Sequence, residues 1–170
     1  LYTSSKLNIT EYRLYEKVLS NREIVSNLGE REKDSLSILV DLLINDGCSV
    51  LELDNFYYSY IIPHIGKEFD ILKIDQTKVL NIELKSENVG LDRIKSQLVR
   101  NYNYLKYLGK NLSLYTFVSD TKTFYKLNEK EELVLINKEE VVTKIKEFAL
   151  DDYPDIDTLF NFSNKEGWPE

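Results

Sequence analysis

Residues 68–86, EFDILKIDQTKVLNIELKS, constrain the fold more than any other stretch of this 170-residue chain. Two runs of β-forming apolar residues flank the turn-forming DQTK, so they read as the two strands of one hairpin. With the turn symmetric about Gln76–Thr77, Ile74 faces Val79, Leu72 faces Asn81 and Asp70 faces Glu83. Strand alternation puts Lys85 on the side of Glu83 and leaves Leu80, Ile82 and Leu84 as an apolar opposite face. Carboxylates opposed across a sheet repel each other, and partial burial raises the pKa of one of them. Lys85 supplies one offsetting charge. A divalent cation supplies two, and hard carboxylate oxygens suit Mg²⁺ or Mn²⁺. Read alone, Asp70, Glu83 and Lys85 also fit a salt-bridge ladder on a solvated sheet face.

The flanking pattern extends this hairpin into a domain. Helices are expected over 9–25 and 28–45, the second ending at the turn signal NDG. CSVLELD (48–54) reads as a strand, and GLDRIKSQLVRNYNYLKYLG as a helix over 91–108 ended by Gly109. A strand at 112–120, a hairpin around NEKEE and a last helix, KEEVVTKIKEFAL, complete the order. It implies an α/β (α+β) fold, a central mixed β-sheet flanked by helices on both faces. Residues 1–150 form one domain, and 151–170, acidic and carrying Pro154 and Pro169, read as a tail or linker.

Composition narrows the function classes. Net charge is −7, yet residues 61–110 hold nine Lys/Arg against six Asp/Glu, which leaves room for a local basic surface on an acidic body. Cys48 is the single cysteine, so no disulfide framework or cysteine zinc site is expected, and a reducing, cytoplasmic setting fits. The apolar runs are broken by charge and too short to span a membrane. The chain has no methionine, even at position 1, and so reads as a fragment or as a chain whose start has been removed. No glycine-rich phosphate loop and no nucleophile elbow occurs. His64, Lys67 and Lys73 read as structural residues.

Two helices carry further candidates. Over 28–45, Leu28, Leu36, Leu39, Val40 and Leu43 share one face, with Glu32 in its midst and Lys33 just past its edge. Glu32 is placed to point along the core toward Asp70 and Glu83, or is simply a first-turn acid favoured by the helix dipole. Asn27 and Glu30 form a capping-box-like pair. Over 91–108, Leu91, Ile94, Leu98, Leu105 and Leu108 make a core stripe. Arg93, Gln97, Arg100 and Tyr104 make a neighbouring one, suited to phosphate contact and base stacking or equally to solvent.

Asp70, then Glu83-Leu84-Lys85 on a hairpin between two helices, resembles the PD-(D/E)xK nuclease superfamily over about residues 28–120. Phe69 stands where the motif's proline would be. The resemblance implies a restriction-endonuclease-like core and Mg²⁺-dependent hydrolysis of DNA, with Mn²⁺ as a substitute metal. It implies that Asp70 and Glu83 hold the ion, with the Leu84 carbonyl as a further ligand and Glu32 as an additional one. Lys85 would orient or deprotonate the attacking water. Exonuclease-like members carry Gln-x-x-x-Tyr on the following helix; here Gln97 is followed at that spacing by Asn101, with tyrosines at 102 and 104. YPDIDTLF is similar to a segment linking such nucleases to a helicase-type motor, which would make that motor a partner. A catalytically silent member that binds nucleic acid or protein is the alternative.

Overall fold

The structure, a computed structural model, describes residues 1–8, 10–11, 29–151 and 153–161. Among them the strands β1 (Tyr57–Ile61), β2 (Glu68–Ile74), β3 (Lys78–Lys85), β4 (Asn111–Val118), β5 (Thr123–Leu127) and β6 (Leu133–Ile136) form one sheet in chain order. The helices are α1 (Tyr2–Lys6), α2 (Glu30–Asn45), α3 (Leu91–Leu105), α4 (Lys138–Lys146) and α5 (Ile156–Leu159). Neighbouring strands are antiparallel except β3 and β4, which are parallel and joined through α3. The mixed α/β architecture is the expected one. No helix among the described residues is long and apolar enough to cross a membrane.

Asp75 fixes the central hairpin. Its Oδ1 accepts from the N–H groups of Thr77 (2.8 Å) and Lys78 (2.7 Å), and its own N–H donates to the Lys78 carbonyl (3.0 Å). This side-chain-capped turn sets the register of Ile71 with Ile82, Leu72 with Asn81, Lys73 with Leu80 and Ile74 with Val79. A slip of one residue would exchange the two faces of the strand. Leu80, Ile82 and Leu84 pack with α2 and α4 through Leu36, Leu39, Val40, Leu43 and Val141. Val79, Leu72 and Ile74 pack on the other side with α3 and α5, through Ile94, Leu98, Leu105 and Phe160.

Several elements differ from expectation. Residues 48–54 are not a strand. Their backbone is used elsewhere: Leu53 N–H donates to the carbonyls of Ser49 and Val50, and Lys73 Nζ takes the carbonyls of Glu52 (2.8 Å) and Asp54 (2.9 Å). The edge strand is instead YYSYI at 57–61. The final segment contributes to the core, with Ile156 and Phe160 buried beneath Tyr60 and Phe69. Asn8 and Glu11 exchange reciprocal backbone–side-chain hydrogen bonds of 3.0 and 2.9 Å, a capping box where the first helix was expected. Most of that helix, with Asn27 and Leu28, lies outside the described residues.

Candidate active site

The hairpin register carries Asp70 to Glu83, and the two carboxylates meet. Leu84 N–H donates to Asp70 Oδ2 at 2.9 Å, and Asp70 N–H donates to Glu83 Oε2 at 3.2 Å. Glu83 is 1% exposed and Asp70 half-buried. Burial, then the Glu83 charge, then a carboxyl–carboxyl hydrogen bond raise the Asp70 pKa well above 3.8; Leu84 N–H and Lys85 pull the other way. Lys85 is half-buried on the same face.

The second strand contributes more than its motif. Asn101, fully buried on α3, donates its amide to Asn81 Oδ1 (2.8 Å) and, through a short hydrogen bond, to Glu83 Oε1. Asn81 in turn donates to the Ile71 carbonyl at 3.0 Å. Every one of these groups sits on the α3 side, where strand alternation places residues 79, 81 and 83 together. Both asparagines went unassigned from sequence alone. The available signal was Asn101 in the otherwise apolar stripe of α3, and Asn81 two residues before Glu83 on the polar face of β3.

Lys67, in the loop before β2, also belongs to this neighbourhood. Burial pushes its ammonium pKa down, the carboxylates of Glu83 and Asp70 pull it up, and the Arg100 charge lowers it. Its Nζ lies 4.9 Å from the centre of the Phe69 ring. Lys67 and Lys85 thus bring positive charge to the acids, and Arg100 lies near Lys67.

Other expected residues fall elsewhere. Glu32 is exposed, its carboxylate folded back over Gly29, where the positive end of the α2 dipole favours it. It does not join Asp70 and Glu83, and no group of three or more His, Cys, Asp or Glu side chains forms a metal cluster among the described residues. An ionised carboxylate without a partner is costly in a core. The buried residue of that turn is Lys33, whose Nζ satisfies the Ser5 carbonyl at the end of α1 at 2.8 Å. Tyr104 is buried with the α3-side core, not presented for stacking, and Leu91 is 52% exposed, not part of the stripe. Asn101 and Tyr104 occupy that interior instead. Arg93 and Arg100 are exposed and Gln97 is half-buried.

The donor chemistry fits a hard divalent cation. Two carboxylates lie in contact, and Asn101 Oδ1, buried beside them, has no hydrogen-bond partner among the described residues. These are oxygen donors of the type that Mg²⁺ and Mn²⁺ prefer. Comparisons with protein families, with curated proteins and with solved structures find no match to this chain.

Proposed function

We propose that the chain is a metal-dependent nuclease domain with a restriction-endonuclease-like core, hydrolysing DNA phosphodiester bonds. The observation that carries this reading is the pairing of Asp70 with Glu83 beside Lys85 on one sheet face. Asp70 and Glu83 would hold Mg²⁺ or Mn²⁺, with the Leu84 carbonyl adjacent. When bound, the ion lowers the pKa of water and offsets charge on the phosphate. Lys85, as an ammonium beside the acid pair, would orient the attacking water and offset charge on the phosphate. Lys67 and Arg100 offset charge on the phosphate, and Arg93 and Gln97 on the exposed side of α3 track the DNA backbone.

Glu83→Ala and Lys85→Ala are expected to abolish Mg²⁺-dependent cleavage of both linear and circular DNA while circular dichroism stays native. Normal cleavage by either variant would reject the reading. A second reading, a silent scaffold that only binds nucleic acid or protein, draws support from one observation. The acid pair is already supplied with donors by Leu84, Asp70 and Asn101. Titration with Mn²⁺ separates the two, because a bound ion raises the melting temperature by mass action and a silent scaffold shows no rise.

A further inference from the structure

Four neighbouring strands carry polar residues at one transverse register. Ser59 on β1 falls opposite Asp70, since the pairs on either side are Tyr58 with Ile71 and Tyr60 with Phe69. Asp70 leads to Glu83, and Glu83 pairs with Thr116 on β4. The row reads hydroxyl, carboxylate, carboxylate, hydroxyl. Thr116 points to the α3 side, because Leu114 and Val118, two residues to either side, pack in that core.

Both hydroxyls are anomalous as structural groups. Ser59 is 6% exposed and Thr116 fully buried, and neither Oγ has a hydrogen-bond partner among the described residues. A buried hydroxyl without a partner is destabilising, and an apolar residue of the same shape removes the penalty. Ser59 also has φ of +43° in mid-strand, a left-handed conformation natural to glycine and strained for serine. Stability alone would favour glycine at 59 and valine at 116. Both exceptions stand in register with the two acids.

We propose that Ser59 and Thr116 are positioning residues for the cation, their hydroxyls holding water of its hydration shell on either side of the acid pair. This rests on the metal-dependent reading above. Mg²⁺ sheds water reluctantly, so a site with only two carboxylates leaves several coordinated waters that need partners. Loss of such an outer partner typically lowers metal affinity by about 10- to 100-fold.

The test is a Mn²⁺ titration of the full chain, with free ion counted by electron paramagnetic resonance, run beside thermal melting without metal. Ser59→Gly and Thr116→Val are expected to weaken Mn²⁺ binding by about 10- to 100-fold and to raise the metal-free melting temperature. Thr116→Ser, which keeps a hydroxyl, is expected to bind as the wild type does. Wild-type affinity in both Ser59→Gly and Thr116→Val overturns the proposal, and in one of them removes that residue from it. Weaker binding together with a lower metal-free melting temperature marks a structural role and overturns it as well. A wild-type chain that binds no Mn²⁺ at all defeats the metal-dependent reading itself, a result distinct from the others.

Discussion

Asp70 carries a carboxyl whose acid–base chemistry the fold alters. Folding raises its pKa, so the native state holds this proton more tightly than the unfolded chain does. The stability contribution is full below the ordinary value of 3.8, falls as pH rises toward the folded pKa and is gone above it. Urea unfolding of the metal-free protein is expected to show this decline, and Asp70→Asn is expected to flatten it. On the metal-dependent reading, protons compete with the ion for the acid pair, so Mn²⁺ affinity is expected to weaken on acidification. Asn101 acts on the partner carboxylate. Asn101→Ala is expected to cost about 1–3 kcal/mol in urea unfolding, because it leaves Glu83 and Asn81 short of a donor. The acids were legible in the sequence because strand alternation and a symmetric turn determine which residues face each other. Asn101 and Ser59 were not, since the first depends on a crossover helix docking on the sheet and the second on a backbone angle that no residue type announces.

At the scale of elements, the Asp75 turn is the piece that sets the site. Burial opposes ionisation of Asp75, but the N–H groups of Thr77, Lys78 and Ala149 outweigh it and hold the pKa below the usual range. Asp75→Ala removes an acceptor that keeps Asp70 in step with Glu83. It is expected to cost about 1.5–3 kcal/mol, typical of a hydrogen-bonded charged group, in urea unfolding. On the nuclease reading proposed above, removing Arg93 or Arg100 of α3 is expected to weaken DNA binding evenly across sequences and to lower the salt slope by about 1 per arginine, measured by fluorescence anisotropy. Helices α2, α3 and α4 and most strands followed from periodicity, whereas α1 and α5 did not. The segment 48–54 did not, because its alternating pattern resembles a strand while a lysine 19 residues beyond Asp54 claims its carbonyls. Glu32 was misread for a related reason: helical spacing gives an angle but not the neighbour that fills the inner position, which Lys33 takes with Ser5.

Across the whole molecule, one buried cation ties distant parts together. Lys73 joins the 48–54 turn to β2 among the rings of Phe56, Phe148 and Tyr153, and burial pushes its pKa from 10.5 down to about 8. The unfolded chain binds more protons between those values, so this group makes the protein more stable as pH rises from about 8 to 10.5. Lys73→Met is expected to remove that rise in stability, read as urea midpoints across the range. The C-terminal segment is equally integral. Phe160→Ala is expected to cost about 3–5 kcal/mol by loss of a fully buried ring.

The parallel pairing of β3 with β4 has a consequence of its own. It divides the sheet into two consecutive three-stranded meanders, β1–β3 and β4–β6, stitched along a single seam. Asp70 and Glu83 come from one meander and Thr116 from the other, with Asn101 on the linking helix. The acid centre is therefore complete only when the seam is closed. Amide exchange along β4 would then report on whether the two halves of the acid centre are joined.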